Sequence, residues 1–208
     1  MIQARPKLVT FDEFVTWYPE DSGHRYELHN GVIIEMPLPS GRHSRCAGFI
    51  VAELNWEIRR ASLPYFIPTQ YLLKPNPSES GYIPDVVVLN SDVIGSEQRW
   101  EKESIITQGV CVPLVVEVVY TNWHDDYALK LEEYEMMGIA EYWIVDYLAL
   151  GGRRYIGNPK QPTISIYQLV SGEYQVSQFR GVEPIESRLF PQLNLTAQIG
   201  RASCRERV

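Results

Sequence analysis

Leu114-Val115-Val116-Glu117-Val118-Val119 is an apolar run with a single acid set inside it. Valine-rich and bounded by turn residues, it reads as a strand covered on both faces. A carboxylate in such a strand is costly, because an unpaired buried charge loses far more hydration than it regains. Glu117 therefore needs a partner, either a metal ion or a buried ion pair with an arginine. The segments on either side of it show what is on offer.

Upstream, Ile83-Pro84-Asp85-Val86-Val87-Val88-Leu89 is a second buried strand with an acid at its mouth. Asp85 follows a proline, so capping a turn is its plain structural alternative. Further back, Arg25-Tyr26-Glu27-Leu28-His29-Asn30-Gly31 runs into Val32-Ile33-Ile34-Glu35-Met36, and Asn-Gly between apolar arms signals a hairpin. Glu27 lies in the first arm, where a solvated face would also account for it. Thr10-Phe11-Asp12-Glu13 is a capping box and predicts a helix to about Trp17, stopped by Pro19. Ala47, Ile50, Val51, Leu54, Ile58 and Ala61 recur at helical spacing and predict a helix from Gly41 to about Ala61. Arg42, Arg45, Arg59 and Arg60 lie toward its other side, as a solvated face or a phosphate-facing patch. Tyr65-Phe66-Ile67 and Tyr71-Leu72-Leu73 read as strands or one bent hairpin. Asn90 to Val112 is polar and poorly periodic, an excursion with one helical turn.

Downstream, Asp125 to Met137 has the pattern of one helix closed by Gly138. Asp126, Lys130 and Tyr134 share a face of it, which sets a lysine within or beside the apolar stripe. An i,i+4 pair with Asp126 would explain Lys130 locally. A lysine aimed at the carboxylates would instead steady a water or a phosphate oxygen. Glu141-Tyr142-Trp143-Ile144-Val145-Asp146 is the next strand, and Ile164 to Leu169 is the clearest of the later ones, which read as an antiparallel extension. The core order is helix, three strands, helix, strand, preceded by a helix and a hairpin: a mixed α/β sheet with helices packed on it.

The totals restrict the function classes. With 208 residues, 45% of them hydrophobic, the chain suits one folded domain over residues 1–200. Residues 201–208 are basic and aperiodic and read as an expression remnant or a disordered tail. Cys46, Cys111 and Cys204 form neither a zinc pattern nor a disulfide framework, which fits a reducing cytoplasm. Neither a signal peptide nor a run of membrane-spanning length is visible. The net charge of −7 argues against binding DNA through a global positive field. It leaves room for a metal-dependent nucleic-acid enzyme, whose acids the ion neutralises.

Taken in order, Glu27 in Tyr26-Glu27-Leu28-His29-Asn30-Gly31, then Pro84-Asp85, Glu117, Asp126-Tyr127-Ala128-Leu129-Lys130 and the strand from Glu141 resemble the PD-(D/E)XK nuclease superfamily. More closely, the chain is similar to a bacterial group of restriction-endonuclease-like proteins of unknown function, from about Thr10 to about Gln198. The resemblance implies that Asp85 and Glu117 hold Mg²⁺ or Mn²⁺ with Glu27 as a further acidic ligand, and that Lys130 completes the catalytic set. The superfamily's lysine stands two residues after the acid, where this chain has Val119; the closer group carries it on the following helix, at the position of Lys130. His43 falls in a stretch similar to the group and would either touch a DNA phosphate, with Arg42 and Arg45 if their face is a phosphate-facing patch, or simply pack at the helix start; a homodimer follows by analogy for cutting two strands. The implied activity is hydrolysis of phosphodiester bonds, in DNA. A nuclease-fold binding or scaffolding module without catalysis is the alternative, and an enzyme acting on another phosphate ester is a third.

Overall fold

Residues 7–19 and 23–199 are described by the computed structural model; the tail at 201–208 lies outside them. The capping box forms. Thr10 Oγ1 accepts from Glu13 N–H at 3.2 Å and Glu13 Oε2 accepts from Thr10 N–H at 2.8 Å, opening α1, Phe11–Trp17. Strands β1 (Arg25–His29) and β2 (Val32–Met36) pair antiparallel about Asn30 and Gly31. Both turn residues have positive φ, 49° and 81°, as a two-residue turn matched to strand twist requires. Helix α2, Gly41–Arg60, starts at a Ser40 cap and buries Cys46, Ile50, Leu54 and Ile58.

Six strands form the main sheet. In chain order they are β3 (Tyr65–Phe66), β5 (Val86–Asn90), β7 (Leu114–Val118), β8 (Glu141–Asp146), β9 (Thr163–Val170) and β10 (Glu173–Arg180). Their spatial order is β10-β9-β8-β7-β5-β3, with only β7 and β8 parallel. A parallel pair needs a crossover, and the segment between Trp123 and Met137 supplies it. Residues along β7 alternate between two cores. Leu114, Val116 and Val118 meet α2 on one face, while Val115 and Val119 pack among Tyr134, Tyr142 and Ile144 on the other. Glu117 has the parity of that second face.

Of the two readings of Tyr65-Phe66-Ile67 and Tyr71-Leu72-Leu73, separate strands form and the bent hairpin does not: Leu72–Leu73, β4, pairs in parallel with β6, Ile105–Ile106. The polar excursion thus holds more than one helical turn, with the short helix α3, Trp100–Glu103, ahead of β6. Buried Glu97 organises it by accepting from the N–H groups of Thr107 and Gln108 at 2.6 and 3.0 Å. A stretch held by such polar contacts carries no apolar period.

The single helix read from Asp125 to Met137 is two: α4, Trp123–Tyr127, and α5, Leu129–Met137, broken at Ala128 (φ −130°, ψ −78°). The Tyr142 hydroxyl donates to the Asp126 carbonyl at 3.0 Å, taking the acceptor that Lys130 N–H would use in an unbroken helix. The Tyr127 ring meanwhile stacks on Tyr155 of the short helix α6, Arg153–Ile156, 4.6 Å between centroids. Tertiary contacts on both sides of Ala128 thus override a pattern that is locally helical. Gly138 closes α5 in the left-handed region, as its position predicts.

Candidate active site

The site grows from strand parity. Glu117 must point to the α5 side of the sheet, and α5 presents Lys130 and Tyr134 there. Lys130 Nζ donates to Glu117 Oε1 at 2.9 Å, and the Tyr134 hydroxyl reaches the same oxygen at 3.4 Å. The partner of Glu117 is therefore a lysine and not an arginine. The Asp126–Lys130 contact also exists, Oδ1 to Nζ at 3.6 Å, but it is one of three and not the whole explanation of the lysine.

The third contact is Glu27, brought in by the hairpin. A backbone bridge between Leu28 and Gly81 ties β1 to the segment leading into β5. Glu27 is 1% exposed, so its hairpin does not present it to solvent. Its Oε1 accepts from Ile83 N–H at 3.0 Å and from Lys130 at 3.4 Å; its Oε2 meets His29 Nε2 at 3.0 Å and Lys130 at 3.4 Å. A carboxylate has about four acceptor positions, and here they are filled. Glu27 anchors Lys130.

Asp85 stands one residue before β5, next to the Val86–Val116 pair. Its Oδ2 accepts from Val118 N–H at 2.8 Å and lies 3.2 Å from His43 Nε2. His43 Nε2 is also 2.9 Å from the Val118 carbonyl. Both neighbours of that nitrogen are acceptors, so it carries the proton. His43 is thus buried and holds Asp85, rather than lying open at the protein surface. Arg42 and Arg45 are exposed and do not line the cleft that holds Asp85 and Glu117. The arginine that does line the cleft is Arg25, which the sequence alone does not single out.

Charges at this place are unevenly matched. Glu27, Glu117 and Asp126 share one ammonium, and Asp85 beside them has His43. Burial and the charges of Asp126, Asp85 and Glu27 outrun the attraction of Lys130 and push Glu117 up to about 8. Burial also raises Asp126, to about 6, against the pull of Lys130. For Glu27 burial acts upward too, but Lys130 and the His29 and Ile83 hydrogen bonds prevail and bring it down to about 2. Lys130 is held well above its ordinary range, because Glu117, Glu27 and Asp126 outweigh its burial. Burial lowers His43, and the hydrogen bond and charge of Asp85 more than reverse this.

Among the described residues no three His, Cys, Asp or Glu side chains converge as a ready-made metal cage. The pair Asp85 and Glu117 does line one cleft with Lys130, Asp126 and His43. No described residue donates to Asp85 Oδ1 or Glu117 Oε2. Two carboxylate oxygens in an over-negative cleft suit a hard divalent cation, which takes few protein ligands and keeps several waters. Of the three acids expected around one ion, Glu27 has its acceptor positions taken by Lys130, His29 and Ile83 N–H.

Asp126 is the acid that the sequence reading missed as part of the cluster. Its signal in the sequence is the face it shares with Lys130 and Tyr134, which by itself explains no more than a local pair. His29, two residues from Glu27 and so on the same face of β1, was equally readable.

A family model described as "Uma2: Putative restriction endonuclease" matches residues 11–198. No curated protein matches the sequence. Among solved structures, a putative nuclease belonging to DUF820 from Anabaena variabilis ATCC 29413 superposes with a TM-score of 0.70. The match covers 94% of this chain and 98% of that one at 17% identity, a likeness of fold. Within the described residues no helix is long and apolar enough to cross a membrane.

Proposed function

This chain belongs to the Uma2 family of putative restriction endonucleases, and we propose that its carboxylate cleft hydrolyses phosphodiester bonds in DNA with the help of Mg²⁺ or Mn²⁺. One observation carries the reading: three carboxylates share a single ammonium, Asp85 stands beside them on His43, and Asp85 and Glu117 each keep an oxygen without a donor among the described residues. A structural ion pair would balance its charges. This cluster lacks positive charge, and a divalent cation would supply it.

Asp85 and Glu117 are the ligands in this reading. A bound cation would lower the pKa of a water and neutralise charge growing on the scissile phosphate. The remaining work belongs to side chains already in place. His43 and Val118 N–H fix one oxygen of Asp85. Glu27 and Asp126 hold Lys130 protonated against Glu117, which orients that carboxylate and keeps positive charge in the cleft wall for the developing oxyanion. Cutting both strands of a duplex would take a homodimer. The buried free thiols of Cys46 and Cys111 suit a reducing compartment such as the cytoplasm.

The test is cleavage of supercoiled plasmid and of single-stranded DNA in Mg²⁺, Mn²⁺ or EDTA, beside Asp85→Ala and Glu117→Ala. Metal-dependent nicking that both substitutions abolish is the expected result. Calorimetric Mn²⁺ binding without cleavage in any condition would leave a nuclease-fold binding module instead.

A further inference from the structure

The cleft adjoins a second cavity of about 870 Å³. Arg25, Ile83 and Asp85 belong to the walls of both. Elsewhere the larger cavity is bounded by aromatic and aliphatic side chains, Tyr18, Tyr71 and Leu72 among them, with Thr69 and Gln70 exposed at its rim and, beside Ser104, Glu103, whose carboxylate is paired with Arg99. Its aromatic walls are held firmly. The Tyr71 hydroxyl donates to the Pro84 carbonyl at 2.6 Å, and Tyr18 packs edge-on against Phe14 and Tyr26, 5.5 and 6.0 Å between centroids. Arg25 is exposed where the cavities meet; its Nη2 donates to the Ile83 carbonyl at 2.9 Å, and it makes no ion pair with any described residue.

This volume is that of a site for a ligand-sized group. Aromatic walls bind flat rings, and nucleobases stack on tyrosine whatever their sequence. A glutamine amide offers a base edge both a donor and an acceptor. The charge of the chain points the same way. Affinity for a duplex comes largely from Lys and Arg on phosphates, and a protein of net charge −7 is poorly supplied for that. Base faces are the other source of binding, and a duplex hides them in its stack.

We propose that the cavity seats an unpaired base of the strand being cut, with the Arg25 guanidinium on the phosphate that joins this base to the Asp85–Glu117 cleft. The substrate is then single-stranded or locally melted DNA. This rests on the nuclease reading and adds to it the form of the substrate. It also removes the need for a dimer, since an unpaired strand is cut once by one copy.

Binding tests it, with Ca²⁺ in place of Mg²⁺. Fluorescence anisotropy compares a labelled single strand, its matched duplex, and the same duplex carrying one unpaired nucleotide. The single strand and the bulged duplex bind at least about tenfold tighter than the matched duplex. Thr69→Trp, which fills the cavity from its exposed rim, brings that ratio to about one while Mn²⁺ affinity and melting temperature stay as in the wild type. Gln70→Ala, which leaves the cavity open, lowers the ratio about fivefold. A matched duplex bound as tightly as the single strand overturns the proposal. So does a ratio that survives Thr69→Trp, or failure to bind any of the three, which would leave the cavity to a protein segment. The two readings fail separately. Plasmid cleavage at an unchanged rate in Thr69→Trp removes this inference and keeps the nuclease; preferential single-strand binding without cleavage keeps the base site and removes the nuclease.

Discussion

Glu117 and Glu141 are two buried acids on adjacent parallel strands, at 5% and 2% exposure. In the sequence they look alike, each an acid inside an aromatic or valine-rich strand. Their surroundings differ completely. Glu141 accepts from Trp143 Nε1 at 2.9 Å, Ser187 Oγ at 2.8 Å, Arg188 N–H at 2.6 Å, and more weakly from Gln168 and Leu189. Its charge is spread over neutral donors, so the site is complete without any ligand. Glu117 has one ammonium and one distant phenol, and two other carboxylates, Glu27 and Asp126, share the same ammonium. A buried acid satisfied by its own chain is architecture. One that shares a single ammonium with two other acids is the ligand proposed for the cation.

The sharpest way to break this contrast is to neutralise each acid. Glu117→Gln is expected to lower metal-supported cleavage by about 10³-fold while leaving the metal-free protein at least as stable at pH 8, because it removes a like charge. Glu141→Gln should do the reverse, with cleavage per folded molecule retained and stability lowered by about 1–3 kcal/mol. Urea midpoints and initial rates on the two purified variants decide it; equal stability losses would erase the distinction.

Removing the cation tests the same cluster from the other side. Lys130→Met leaves Glu27, Glu117 and Asp126 buried without their counter-ion, a change that costs about 3–5 kcal/mol. Added Mn²⁺ should recover part of the loss, which thermal melts with and without the metal would reveal. The recovery is the informative part, since a purely structural pair gains nothing from Mn²⁺.

The smallest effect is in pH. Glu117 and Asp126 hold protons in the folded chain above the range where they ionise when unfolded. The folded state then binds more protons than the unfolded one, so this contribution is full below the ordinary carboxylate range and is lost as pH rises toward about 8. In EDTA, stability should fall by on the order of 1–3 kcal/mol between pH 5 and 8.5. The slope should flatten in Glu117→Gln or in Mn²⁺. Glu27, shifted downward, has the opposite sign and acts only as pH drops toward about 2. A denaturation series across this range with an unchanged slope in Glu117→Gln would show that the cluster is balanced after all.

Much of the framework was legible because it rests on local rules. The Thr10 capping box, the Asn30-Gly31 turn, the α2 stripe and the Gly138 cap depend on near neighbours and came out where the residues put them. The misread parts depend on distant partners. Ala128 interrupts a helix because Tyr142, from the next strand, takes the Asp126 carbonyl. Leu72 and Leu73 pair with Ile105 and Ile106 rather than with β3 because Ser104 and Ile106 carbonyls accept from Leu72 and Lys74 N–H at 3.0 and 2.8 Å.

Within the site, sequence by itself determined that Glu117 would be buried and that Lys130 would sit on an inward face, since strand parity and helical period follow from residue order. It also brought Asp85 to the mouth of the neighbouring strand. Only the tertiary structure decided what each acid does. Glu27 and Asp126 turn to Lys130, His43 turns to Asp85, and Glu117 is left with too little positive charge. The reason is that a carboxylate's role is set by which donors reach its oxygens. Those donors come here from a hairpin, two helices, the loop before β5 and β7 itself, elements whose separation in the chain says nothing of their distance in space.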